Sequence, residues 1–172
     1  SAVSPDKRWV AAFEWKWVVG LEEVAAEELK LAGLRITPAS FTRSRSRSYD
    51  SIALHDLGND ARIAVEGLPA GRIGAPSWSS DSKYLAFTLE RDGRNTLWLY
   101  DLDDRQAREL VSLPLNSVLT STPYTWLPDA GGLLINIAVN HGESLPEPSL
   151  EAIAPVIQET DPESKAPVRT YR

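Results

Sequence analysis

The sequence has no cysteine in its 172 residues, which excludes a disulfide framework and any thiolate metal site. The same absence suits the cytosol, a plastid, the periplasm or a secreted protein, so the compartment stays open. Histidine is almost missing too, with His55 and His141 as the two copies. His55 stands beside Asp56 in an expected strand, with no second ligand at a useful spacing, and reads as a strand-end polar pair rather than a metal site. His141, with Glu143 and Ser144 close by, reads as an ordinary polar loop because nothing orients the three into a nucleophilic site. No catalytic residue, metal or cofactor is therefore expected. Long apolar runs are also lacking, since the stretch from Leu133 to Val139 is broken by Asn136 and falls far short of a membrane span. A net charge of −6 and a pI near 5.0 exclude a general nucleic-acid binder, which needs clustered cations against phosphates. Neither a nucleic acid nor a membrane is an expected partner.

What the chain does have is one device written more than once. Trp78-Ser79-Ser80-Asp81-Ser82-Lys83-Tyr84-Leu85-Ala86-Phe87 is echoed 48 residues later by Trp126-Leu127-Pro128-Asp129-Ala130-Gly131-Gly132-Leu133-Leu134-Ile135. A partial copy opens the chain as Ser4-Pro5-Asp6-Lys7-Arg8-Trp9-Val10-Ala11-Ala12-Phe13. Each is an apolar approach, a polar turn holding an Asp, and an apolar strand. Repeats of about 40 to 50 residues are the period of β-propeller blades, whose four-stranded sheets bury their faces by stacking on neighbours. A propeller ring typically needs at least four blades, so three blade starts predict a piece of something larger. A start at Ser1, with no Met and no signal-like apolar segment, predicts a processed or truncated product.

The fold class expected is all-β: a partial β-propeller of about two and a half four-stranded antiparallel blades, with one short inserted helix. The first blade takes residues 1–66, with strands over 9–13, 51–57 and 61–65. The helix is read at 21–32, from apolar residues at helical spacing among glutamates up to Gly33, with Glu22, Glu23, Glu27 and Glu28 as a solvated face. The second blade takes 67–114, with four strands over 75–78, 84–89, 97–102 and 107–113, joined by Asp-, Ser- and Gly-bearing turns. A third blade begins in 115–140, at 124–126 and 133–139, and its missing outer strands leave an exposed edge. Residues 141–172 read as a Pro-rich loop leading to a missing remainder. Asp6, Asp81 and Asp129 are expected to accept turn N–H groups, and Trp78 and Trp126 to pack between blades.

The basic cluster Arg43-Ser44-Arg45-Ser46-Arg47 offers the candidate substrate-binding residues Arg43, Arg45 and Arg47. In an extended chain the three guanidiniums would line roughly 13 Å of one face and repel one another unless acids face them. Those acids are either carboxylates of an acidic peptide, which Arg pairs with bidentately, or carboxylates of the scaffold such as Asp50 and Asp56, or of another domain. An RS-type phosphorylation or RNA tract would need a much longer disordered repeat than this acidic chain carries.

Lys30-Leu31-Ala32-Gly33-Leu34-Arg35-Ile36, followed by Thr42-Arg43-Ser44-Arg45, resembles the N-terminal propeller of prolyl-oligopeptidase-family serine peptidases. Within that family it is most similar to the glutamyl endopeptidases of chloroplasts and their bacterial relatives. The likeness continues through Gly67-Leu68-Pro69-Ala70-Gly71-Arg72-Ile73 into the Trp78 blade, and ends at Ala166-Pro167-Val168-Arg169-Thr170-Tyr171. Ser80, Ser82 and the apolar stretch from Trp15 to Val19 depart from the pattern, Ser80 standing where Pro is common and Ser82 where Gly is common. The resemblance implies a Ser–Asp–His triad on a C-terminal α/β-hydrolase domain, with its serine in a Gly-x-Ser-x-Gly elbow that these residues lack. It implies a non-catalytic segment that gates access of peptides, acidic ones included, to that domain. Two other readings remain: a TolB-like propeller fragment serving as a protein-interaction module, and a complete product whose open edges pair between copies.

Overall fold

The computed structural model describes residues 1–15 and 25–139. The repeated turn sets the architecture. In its first copy Ser4 Oγ donates to Asp6 Oδ1 (2.5 Å) and accepts the Trp9 N–H (2.9 Å), while Asp6 Oδ1 also accepts the Arg8 N–H (3.1 Å). The second copy repeats this, with Ser79 to Asp81 (2.6 Å), Tyr84 N–H to Ser79 (3.0 Å) and Lys83 N–H to Asp81 (3.2 Å). In the third, Leu127 replaces the serine and only the carboxylate contact survives, Gly131 N–H to Asp129 at 3.0 Å. Each turn carries its next residue left-handed, with φ of 62° at Lys7, 63° at Ser82 and 57° at Ala130. The Asp residues accept turn N–H groups as the sequence predicts.

Two departures from the family pattern link one turn to the next. The Ser82 hydroxyl accepts the Asp6 N–H (3.0 Å), and the Ser80 hydroxyl donates to the Pro128 carbonyl (3.0 Å). Glycine and proline at these positions would supply the backbone geometry but neither bond.

These turns join the first two strands of each blade. In the first sheet β1 (Ala2–Val3), β2 (Trp9–Glu14), β6 (Ser51–Asp56) and β7 (Ala61–Ala64) lie in the order β1-β2-β6-β7, all antiparallel. In the second, β8 (Arg72–Trp78), β9 (Tyr84–Arg91), β10 (Arg94–Asp101) and β11 (Gln106–Val111) form an up-and-down sheet in chain order. β12 (Tyr124–Trp126) pairs with β13 (Leu133–Ile135). β13 is shorter than the strand expected over 133–139; beyond it Ile137 makes a single bridge to Leu115.

Alternation along β9 buries both of its faces. Leu85, Phe87 and Leu89 pack with Ile52, Leu54 and Trp78, between the first and second sheets. Ala86 joins Leu97, Leu99, Leu115 and Tyr124, against the β12–β13 pair. Stacking of this kind is what a sheet with two apolar faces requires.

The inserted segment departs from expectation. Leu29–Leu31 is a strand, β3, paired antiparallel with β4 (Leu34–Thr37), which pairs in turn with β5 (Thr42–Arg43). The second half of the helix read at 21–32 is thus replaced by a hairpin, and residues 21–24 lie outside the described residues. Ala32 and Gly33 have φ of 49° and 81°, the two positive values of a type I′ turn, so Gly33 closes a hairpin and does not stop a helix. The Pro-rich stretch from 140 onward, His141 included, also lies outside the described residues.

The turn carboxylates carry a pH dependence. The Ser4 hydroxyl, then the Arg8 N–H, hold Asp6 below its ordinary 3.8, and the Ser79 hydroxyl, then the Lys83 N–H, do the same for Asp81. A carboxyl depressed by folding contributes stability that is complete above the unfolded value and lost as pH falls through the folded one. Urea midpoints measured from pH 6 down to about 2 should therefore fall below pH 4, and Asp81→Asn should make that fall shallower. An unchanged slope in the variant would remove Asp81 from the effect.

Candidate functional site

β5 ends at Arg43, and the chain does not continue extended through the basic cluster. Arg45 sits at φ 61°, so the side chains of Arg43, Arg45 and Arg47 do not share the single strand face that an extended segment would give them. Arg43 donates through Nε to the Val118 carbonyl (2.7 Å) and through Nη2 to the Leu119 carbonyl (3.0 Å), tying the insertion to the loop before β12. Arg45 pairs with Glu28 (3.2 Å). Arg47 lies over the Trp15 ring, 5.2 Å from its centroid, a cation–π distance. Trp15 stacks on Tyr49 and Tyr49 packs on Phe13, so this arginine ends an aromatic row that leads back into the first blade.

Glu28 is the carboxylate that sequence reading placed on a solvated face. It meets Arg35 at 2.9 Å as well as Arg45, with a side chain only 19% exposed. The Arg35 hydrogen bond, then the charge of Arg45, hold its carboxyl below the ordinary value against some desolvation. Asp56 is occupied elsewhere, by Arg8 at 3.1 Å and by the Gly58 N–H at 2.9 Å.

Beside the cluster lies a cavity of about 210 Å3, whose wall includes the polar side chains of Arg47, Arg72, Thr88, Glu90, Asn95 and Ser117. A second, of about 430 Å3, shares Arg72 and Glu90 with the first and includes Glu28, Arg45, Arg91 and Asp92 in its wall. Arg72 donates to the Ser48 hydroxyl (3.1 Å) and toward the Ser46 carbonyl (3.4 Å). Glu90 Oε1 accepts the hydroxyls of Ser40 (2.6 Å) and Thr42 (3.3 Å). Thr42, Thr88, Asn95 and Ser117 are all buried.

A bulge builds this wall. Ala75 and Pro76 on β8 stand opposite Phe87 alone, and the register shifts there by one. Proline, with no N–H to pair, belongs at such a position. Without the shift, the register of Trp78 on Leu85 would set Arg72 opposite Arg91. With it, Arg72 lies opposite Glu90, replacing like charges by opposite ones. Tyr124 caps the bulge, its buried hydroxyl donating toward the carbonyls of Ala75 and Ala86. Burial pushes that phenol far above its ordinary value.

Sequence reading missed Arg72, Glu90 and Glu28. The register of the β8–β9 hairpin was the available signal for the first two, and the bulge hides it. In chemical terms the smaller cavity offers two guanidiniums against one carboxylate, with hydroxyl and amide donors around them. Guanidiniums, hydroxyls and an amide are the donors that a polar or anionic group requires. His55 is the penultimate residue of β6, opposite Val10 on one side and Arg62 on the other. Among the described residues no three His, Asp or Glu side chains converge as metal ligands.

No family model matches the chain. A protein named "Probable glutamyl endopeptidase, chloroplastic" from Oryza sativa subsp. japonica is 31% identical over 183 residues, covering 98% of this chain and 19% of that protein. Its namesake from Arabidopsis thaliana is 28% identical over 182 residues, with the same coverage of 98% and 19%. The uncharacterized peptidase YuxL of Bacillus subtilis (strain 168) is 32% identical over 71 residues, 41% of this chain and 10% of that one. Among solved structures, TolB from Acinetobacter baumannii aligns with 48% of this chain and 20% of its own, at 26% identity and a TM-score of 0.36. Along 98% of its length the chain is similar to the chloroplast glutamyl endopeptidases, the group its own motifs resemble, and it spans 19% of theirs.

Proposed function

We propose that this chain is the non-catalytic propeller segment of a longer serine-type peptidase that hydrolyses peptides, acidic ones among them. The observation that carries the reading is the similarity to glutamyl endopeptidases along 98% of the chain. In this reading the chemistry is acyl transfer to a serine and hydrolysis by water, supplied by a hydrolase domain outside these residues. The propeller covers that domain and admits short or unfolded peptides. Arg47 and Arg72, at the small cavity, receive substrate carboxylates, while Arg43 and Arg45 fix the insertion to its neighbours.

The test uses the full-length protein. A fluorophosphonate probe should label one serine outside residues 1–172, and peptides containing Glu should be cleaved. Arg47→Gln should raise KM for a Glu-containing peptide about tenfold, the size of one charge-assisted contact, with little change for the Gln-containing analogue. No labelling together with no cleavage would overturn the peptidase reading. An equal change for both peptides would remove Arg47 from recognition and leave the peptidase reading standing.

A further inference from the structure

The segment Arg43-Ser44-Arg45-Ser46-Arg47-Ser48 holds three serines in three environments. Ser44 is half-buried, with its hydroxyl 3.2 Å from that of Thr37 and its N–H donated to the Arg35 carbonyl. Ser48 is half-buried and accepts Arg72 Nε at 3.1 Å. Ser46 is exposed, lies past the end of β5 in no strand, and donates only locally, to the Arg43 carbonyl at 2.9 Å. Arg43 stands three residues before it, Arg45 and Arg47 flank it, and Arg72 Nη2 reaches within 3.4 Å of its carbonyl oxygen.

An accessible serine on irregular backbone, with arginine three residues before it, is what arginine-directed protein kinases accept. The same guanidiniums are the partners that a phosphate dianion needs once it is formed. We propose that Ser46 is a phosphorylation site. Ser46 Oγ attacks the γ-phosphorus of a nucleoside triphosphate held by the kinase, the bond from that phosphorus to the β–γ bridging oxygen breaks, and a nucleoside diphosphate leaves. The hydroxyl proton passes to the base of the kinase. The product carries about −1.5 to −2 charge at neutral pH and has no hydroxyl donor, so the bond to the Arg43 carbonyl ends. The phosphate then competes with Glu28 for Arg45 and draws on Arg47 and Arg72 at the cavity. Occupying those two guanidiniums shuts the cavity to other anions. That consequence rests on the peptide-recognition reading above; the modification itself does not.

The experiment incubates the folded full-length protein with ATP and a kinase first chosen because it phosphorylates a synthetic peptide of residues 41–50. The sites are then read by intact mass and peptide mapping. Transfer of one phosphoryl group to Ser46, abolished by Ser46→Ala, is the expected result. Transfer to Ser44 or Ser48 instead, or to the peptide but never to the folded protein, overturns the proposal. A second readout is the phosphorus NMR titration of full-length protein carrying phosphoserine at position 46. Its second ionisation should fall below the ordinary value of about 6 by roughly half a unit and move back in Arg72→Gln. An unshifted titration would mean that the arginines do not receive the phosphate, and would also overturn it. Both readouts are independent of peptide cleavage, so failure here is distinguishable from failure of the peptidase reading.

Discussion

Replacing Tyr124 by alanine is expected to destabilise the folded chain by about 3–5 kcal/mol, the cost of deleting a buried aromatic ring. Tyr124→Phe should cost about 1–2 kcal/mol. The ring is 3% exposed and fills the space between the second sheet and the β12–β13 pair, where Ala86, Leu97, Leu99 and Leu115 pack. Its hydroxyl meets the carbonyls of Ala75 and Ala86, at the point where the bulge interrupts the β8–β9 ladder. Phenylalanine keeps the packing and leaves those carbonyls without that donor in a dry site, which is the expensive way to lose a hydrogen bond. Urea unfolding followed by far-UV circular dichroism measures both variants. Equal midpoints for Tyr124→Phe and the unchanged protein would mean that the bulge does not need its cap. A loss in Tyr124→Phe accompanied by weaker binding of acidic peptides would tie the bulge to the Arg72–Glu90 wall that it sets.

The second blade was legible because its rules are local. Apolar runs of strand length are separated by turns whose Asp and Ser side chains bond their own backbone, and the observed strands agree with those read from sequence to within a few residues. The inserted segment was not, since Leu29, Leu31, Leu34 and Ile36 fit a two-residue alternation while the residues before them fit a helix. Gly33 ends a helix or closes a hairpin equally well; pairing of Leu31 with Leu34 decided for the hairpin. The arginine segment was visible as charge, but its geometry followed from Glu28, a carboxylate from another part of the insertion, and from the left-handed backbone at Arg45. The cavity wall depends on one extra residue in β8, a tertiary fact that no spacing rule reports.

Trp78→Ala should be the second large loss, again about 3–5 kcal/mol, because this side chain joins two blades. Its ring packs in the cluster that holds Ala11 of β2 together with Leu85 and Tyr100 of the second sheet, and its indole N–H donates across to the Ala2 carbonyl at 3.2 Å. Trp126 repeats the device one blade later, donating to the Ser77 carbonyl at 3.3 Å. Ala2 and Ser77 occupy the same place, two residues before the serine that opens each turn, so each indole reaches the equivalent strand of the preceding blade. Val3 stands at the corresponding position in the first blade and is 55% exposed. Trp126 is only half-buried, so Trp126→Ala should cost clearly less than Trp78→Ala. Trp78→Phe should recover most of the packing and leave a deficit of about 1 kcal/mol for the lost N–H bond. Far-UV circular dichroism against urea reads all three without depending on the tryptophan removed. If Trp126→Ala proved as costly as Trp78→Ala, the junction with the third blade would hold the stack as strongly as the junction of the first two, and burial would not rank them.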